Sequence, residues 1–229
     1  MSKKKKKNKN NRDESSITDS FDESSLQLLF TPVFSPIVEK PKQGNLTGSV
    51  RQVKDSAANL YNATLKWNTL SQTGAKLIGQ IANCKLQAIF KAEDDETRKL
   101  QMMPNEMESL CEELLKLIES MKQIVDKLNS LNTKFQNLLK LEEHYLKENV
   151  HSVIPFQSWT YKEYEATSQK IHEAYQMEYI LKENLARNIA HVMDRHLMMF
   201  CTSAWTYEPY INGECQTLLE ALVLETGLR

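Results

Sequence analysis

The sequence has 229 residues, 26% of them charged and 41% hydrophobic, and its 29 Lys+Arg balance 30 Asp+Glu. That length holds one ordinary domain plus a tail. A net charge near zero removes the electrostatic case for direct nucleic-acid binding, which needs Lys and Arg in excess against phosphates, and no apolar run is long enough to cross a membrane.

The chain opens on Lys3, Lys4, Lys5, Lys6 and Lys7, followed by Lys9 and Arg12. No apolar core follows, so this is not a secretory signal. The basic cluster is a candidate nuclear-localisation signal, or simply a solubilising arm. Asp13 to Ser25 then carries five acidic residues and no basic one. Segregated charge and low hydrophobicity predict a disordered tail over residues 1–50. Ser16 and Ser20 each precede an acidic residue by three places, and Thr31 and Ser35 precede prolines. All four are candidate phosphorylation sites, where a phosphate adds about −1.5 to −2 charge. Between them lie Leu26 to Phe30, Val33 and Phe34. Such an apolar patch either docks on a partner or folds back on the chain's own body.

From Val50 the spacing becomes helical, and residues 51–229 are expected to form one helical domain. No glycine lies between Gly79 and Gly213, which disfavours a β-rich fold with its many tight turns. Val53, Ala57, Leu60, Thr64 and Trp67 alternate steps of four and three. An extra step of three to Leu70 interrupts them before Gly74, Leu77, Ile81, Cys84 and Ala88, the kind of discontinuity that overwinds a supercoil. This predicts a first helix over 51–91, and an acidic linker ending at Pro104 follows.

The second helix carries the clearest signal. Met107, Leu110, Leu114, Leu117, Met121, Ile124, Leu128, Leu131, Phe135 and Leu138 alternate threes and fours without a fault. That period predicts a coiled-coil seam, roughly 45–50 Å long at about 1.5 Å per residue. Leu115, Ile118, Val125 and Leu139 widen the stripe, which favours more than two helices around the core. After Pro155 and the aromatic corner of Phe156, Trp159 and Tyr161, a third helix is expected over 161–193. Its inward positions are Tyr164, Ile171, Tyr175, Leu181, Leu185, Ile189 and Val192. A shorter helical stretch spans His196 to Trp205, and a last helix follows Gly213. The fold class is all-α: an elongated antiparallel helical bundle or coiled coil with a disordered N-terminal tail.

Catalytic signatures are missing from the pattern. The sequence has no phosphate-binding glycine loop, no H-E-x-x-H and no G-x-S-x-G. Cys84, Cys111, Cys201 and Cys215 form no C-x-x-C pair and read as reduced intracellular thiols. His191 and His196 stand five apart, off the four-residue spacing of a helical metal pair. Glu112-Glu113 and Glu142-Glu143 are expected on a solvated helix face. Cys201 near His196 lacks a third, orienting group. The expectation is a non-enzyme with no catalytic residue, no metal and no cofactor.

Three stretches carry a resemblance. They are Lys54 to Ala58 continuing through Asn62, Leu65-Lys66-Trp67, Leu70, Gly74 and Ile81-Ala82-Asn83; Leu110 to Leu114; and Leu224-Glu225-Thr226-Gly227, with Trp205 and Pro209-Tyr210 upstream. Together with Phe156, Trp159 and Ala190-His191 they resemble the CINP family, the cyclin-dependent kinase 2-interacting proteins, over roughly residues 50–229. The resemblance implies a nuclear adaptor without catalytic activity. It implies as partners cyclin-dependent kinase 2, the Cdc7 kinase, the ATR-interacting protein, and a AAA-type ATPase assembly in which such a subunit pairs with a small helical partner subunit. It also implies work in DNA replication, checkpoint signalling and large ribosomal subunit biogenesis.

Candidate partner contacts are the seam residues Leu110, Leu114, Leu117, Met121, Ile124, Leu128, Leu131 and Phe135, unless they fill the chain's own core. Leu224, Glu225, Thr226 and Gly227 form a second candidate, unless they only cap a helix. A homodimer through the seam is a further possibility. The rival function is a structural coiled-coil subunit of another nuclear assembly, kinetochore- or tether-like.

Overall fold

The computed structural model describes residues 48–91, 105–146 and 153–229. The lysine cluster, Ser16, Ser20, Thr31, Ser35, the apolar patch at 26–34 and the linker 92–104 lie outside the described residues. Among those described there is no strand. Five α-helices follow in order: α1 Gly48–Lys91, α2 Asn105–Leu146, α3 Tyr161–Asn188, α4 Arg195–Tyr207 and α5 Gly213–Glu225. Residues 45–229 belong to one compact unit.

The long helices alternate in direction. Phe135 of α2 stacks on Tyr164 of α3 with ring centroids 6.2 Å apart, while Asn132 donates to Gln169 further along. Rising numbers on one helix thus meet falling numbers on the other. α2 packs along both α1 and α3, and α4 and α5 pack against the same two helices. The result is a four-helix bundle whose fourth member is broken in two. α4 runs beside the later part of α1, with Trp205 against Gly74. α5 continues the same line, with Lys170 3.4 Å from Glu214 near its start and Glu225 against residues 157–159 at its end.

The apolar periodicity explains the core. Val53, Ala57, Leu60, Thr64, Trp67, Leu77 and Ile81 of α1 are buried, as are the α2 seam positions from Leu114 to Leu138. Burying one Leu, Ile or Phe contributes about 1.5–3 kcal/mol, and a continuous stripe of them aligns the helices. α3 starts where the sequence places it, after Thr160, whose N–H donates to the Glu163 carboxylate at 2.6 Å. That reciprocal cap satisfies donors the first helical turn leaves free.

Three sequence expectations are corrected. The step through Leu70 is not a break, because Ser71 is buried and continues the four-three rhythm between Trp67 and Gly74. A polar residue on the inner face gave no hydropathy signal. The third helix ends at Asn188 rather than 193: a 3-10 turn, Ile189–His191, follows it. Asp194 then caps α4, accepting from the Leu197 N–H at 2.8 Å. Leu115 faces outward, 44% exposed, whereas Ile118 and Val125 are buried. The stripe is therefore narrower than its apolar residues suggest.

Candidate partner interface

The structure separates the candidate contact residues into three environments. Leu114, Leu117, Met121, Ile124, Leu128, Leu131 and Phe135 are buried within the chain's own bundle, and Leu110 is half-buried against it. A partner could touch these side chains only after α2 left α1 and α3. Charge at Leu117 or Ile124 is therefore expected to act on folding. Leu117→Glu or Ile124→Glu should lower stability by about 3–5 kcal/mol, the cost of a buried charge without a counter-ion, measured by urea unfolding. A variant that remains as stable as the wild type would mean that these positions are not core.

The second candidate sits at the end of α5. Glu225 is buried, and its Oε1 accepts the backbone N–H groups of Gln157 at 2.9 Å, Ser158 at 2.5 Å and Trp159 at 2.9 Å. Its Oε2 accepts from Ser158 Oγ at 2.9 Å. Burial pushes the Glu225 pKa up, but these four donors outweigh it, and the net displacement is downward. Thr226 is fully buried, its hydroxyl donating to the Leu222 carbonyl at 2.8 Å. Gly227 has φ +61, the left-handed conformation that closes a helix, and Leu228 N–H donates back to the Val223 carbonyl at 3.0 Å. Glu225, Thr226 and Gly227 thus fasten the helix end. Leu224 alone projects outward, 56% exposed.

The third environment was not anticipated. From Leu197 to Tyr207, α4 contains no Asp, Glu, Lys or Arg, although the chain is 26% charged. Its inner face buries Met198, Cys201 and Trp205. A second stripe, Leu197, Phe200 and Tyr207, runs along the outer flank, with Ala204 half-buried against the core between the last two. Leu197 is 48% exposed, Phe200 62% and Tyr207 82%. A helix apolar on both flanks is ordinarily covered on both, and among the described residues α4 is covered on one. The sequence signal is the charge-free run itself.

The remaining candidates for chemistry are dispersed. His191 and His196 are both exposed on separate elements. Cys201 and Cys215 are buried and unbonded, and burial pushes the Cys215 thiol up to about 11, so it stays protonated and poorly nucleophilic. Glu112, Glu113 and Glu143 face solvent, but Glu142 is buried and accepts the Val153 N–H at 2.9 Å. It anchors the chain beyond α2 rather than belonging to a solvated pair. Among the described residues no group of three His, Cys, Asp or Glu is placed to hold a metal, and no helix is long and apolar enough to cross a membrane.

Fold and surface together define an all-α bundle with a filled core and one uncharged, exposed helix flank. No family model matches the chain. Curated relatives do: it is 32% identical over 206 residues to the cyclin-dependent kinase 2-interacting protein of Xenopus laevis, covering 85% of this chain and 97% of that one. It is 30% identical over 204 residues to the mouse protein of the same name, covering 84% and 96%, and 30% identical over 200 residues to the human one, covering 82% and 94%. The chain belongs to the cyclin-dependent kinase 2-interacting protein family.

Proposed function

We propose that this chain is a non-enzymatic nuclear adaptor that binds a cyclin-dependent kinase through the outer flank of α4. The observation that carries the reading is Leu197, Phe200 and Tyr207 standing exposed on the charge-free run of α4. Large aromatic anchors of this kind concentrate binding energy at protein interfaces. The kinase as occupant comes from the relatives, which are named for interaction with cyclin-dependent kinase 2. Within this reading the α2 seam builds the platform that carries α4, and Leu224 is a separate exposed contact at the end of α5. The Lys3 to Lys7 cluster serves nuclear entry. The wider adaptor role implied by the family resemblance belongs to the same proposal: coupling the Cdc7 kinase, the ATR-interacting protein and a AAA-type ATPase with its small helical subunit to clients in replication, genome maintenance and ribosome assembly.

The test is co-purification from cells with Phe200→Glu and Tyr207→Glu, beside Leu115→Glu as an exposed control on α2. The two α4 variants are expected to weaken kinase recovery at least about tenfold, as loss of an interface anchor does, with helical content unchanged. The control should bind as the wild type does. Equal recovery by all three variants would remove α4 from the interface. Recovery of kinetochore or tethering subunits without any kinase would replace the adaptor reading with the structural one.

A further inference from the structure

The most concentrated buried chemistry lies away from the α4 flank, where α1, α3 and the α4–α5 elbow meet. Lys182 of α3 is fully buried. Its Nζ donates to Trp205 carbonyl oxygen at 2.6 Å and to Ser71 Oγ at 3.0 Å, and it pairs with Glu208 Oε1 at 3.2 Å. Three acceptors match the three N–H bonds of an ammonium group. The same nitrogen stands 4.4 Å from the Trp205 ring centroid.

Glu178, one turn earlier, is also fully buried. Its Oε2 accepts the Tyr210 N–H at 3.1 Å. Its Oε1 stands 3.7 Å from Lys182 Nζ and has no hydrogen-bond partner. Two carboxylates therefore share one cation whose donors are already taken, and the cluster carries one surplus negative charge when all three groups are ionised. α1 supplies Ser71 and Trp67, the latter donating its indole N–H to Glu208 Oε1 at 2.9 Å, and neither can neutralise that charge. α3 itself adds Tyr175 and α5 adds Cys215, whose pKa values burial pushes up; both are neutral. Glu208 itself sits at φ 47, a left-handed conformation uncommon for a residue other than glycine, Asn or Asp, held there by its contacts with Trp67 and Lys182.

We propose that α4 and α5 form a releasable arm, fastened to α1 and α3 by this cluster and loosened when Glu178 ionises. Each arm helix has 13 residues, a length at which an isolated helix is marginal, so both depend on docking. The anchors at the centre of the arm are polar and directional. Glu178 is buried against its own desolvation, which raises its pKa from the ordinary 4.5, while the Tyr210 N–H and Lys182 pull it back and Glu208 adds to the rise. A carboxyl raised in the docked state favours docking below its ordinary value. That stabilisation is lost as pH rises through the raised value. Release would uncover Trp67, packed edge-on against Tyr175 at 5.2 Å, and Trp205. With Trp159 at the Glu225 clamp, all three tryptophans of the chain touch the arm's attachments, so their fluorescence reports release.

The experiment is hydrogen exchange of the full chain from just above the ordinary carboxylate value of 4.5 upward into alkaline solution, corrected for intrinsic rates. In the wild type, opening of residues 195–225 should increase with pH while α2 stays protected. Glu178→Gln removes the surplus charge and keeps an acceptor for Tyr210. It should abolish that dependence, holding arm opening at the alkaline end to the rate seen at the acid end. Lys182→Met should do the reverse, speeding exchange across the range; if it does not fold, Glu178→Gln decides. A wild-type pH dependence in Glu178→Gln would overturn the proposal. So would α2 opening in step with α4 and α5, since the cluster would then act on the whole bundle rather than on an arm.

Discussion

Gly74→Ala is expected to destabilise the bundle, although the same change in an exposed helix stabilises by about 1 kcal/mol. A Cβ at Gly74 would lie 2.2 Å from Trp205 Cζ2 and 2.8 Å from Cε2. The indole has little freedom to give way. Its Nε1 donates to the Ser71 carbonyl at 3.0 Å, and Lys182 lies against its ring. Overpacking of this kind costs about 1–3 kcal/mol, which outweighs the helix-propensity gain. Displacing Trp205 would also disturb the carbonyl that Lys182 needs. We expect a net loss of about 2 kcal/mol, read as a lower urea midpoint at constant slope. Gly79 is the internal control. Nothing lies within 4 Å of a Cβ there, so Gly79→Ala should raise stability by up to about 1 kcal/mol. Equal effects at the two glycines would mean that Trp205 is not packed on α1 as described.

Glu225→Ala should cost more. One carboxylate accepts three consecutive backbone N–H groups and a serine hydroxyl, tying α5 to the turn that leads into α3. Removing it leaves several donors without partners, each costing about 1–3 kcal/mol where water cannot replace the acceptor. A loss of about 3 kcal/mol or more is expected, with the aromatic corner at Trp159 loosened. The pH dependence has the opposite sign to that of Glu178. The Glu225 pKa is lowered on folding, so its contribution is complete above the ordinary carboxylate value and disappears as pH falls through the lowered one. Melting in mild acid, compared between wild type and Glu225→Ala, should show the two converging. Parallel curves would show that the carboxylate charge is not what holds the turn.

The apolar part of the fold was legible because hydropathy and helical period report the same thing. The α2 rhythm from Met107 to Leu138 names the buried face nearly residue by residue. Its location within the chain's own core was not legible, since a seam looks the same whether its neighbour is the same molecule or another. Polar core residues escaped for a different reason. Ile171, Tyr175, Glu178, Lys182 and Leu185 continue the four-three alternation on α3, Ile189 carries it into the 3-10 turn, and all are buried. Hydropathy skips the two charged members and settles on Leu181, which is only half-buried. The rhythm itself contained the signal: an i, i+4 Glu–Lys pair exactly in phase with the core is a buried pair. The break between α3 and α4 was hidden because Ile189 and Val192 remain apolar and buried across it. The exposed stripe on α4 was hidden by its own composition, because an apolar helix reads as core until the structure shows that one flank meets no neighbour among the described residues.

The most direct test of the adaptor reading is the mass of the purified chain by light scattering, alone and mixed with purified cyclin-dependent kinase 2. With the α2 seam filled internally, the chain alone should run as a monomer of 26.5 kDa. Adding the kinase should give a complex of summed mass that Phe200→Glu does not form. A chain whose mass is unchanged by the kinase, or a Phe200→Glu variant that forms the complex as readily as the wild type, would contradict the account.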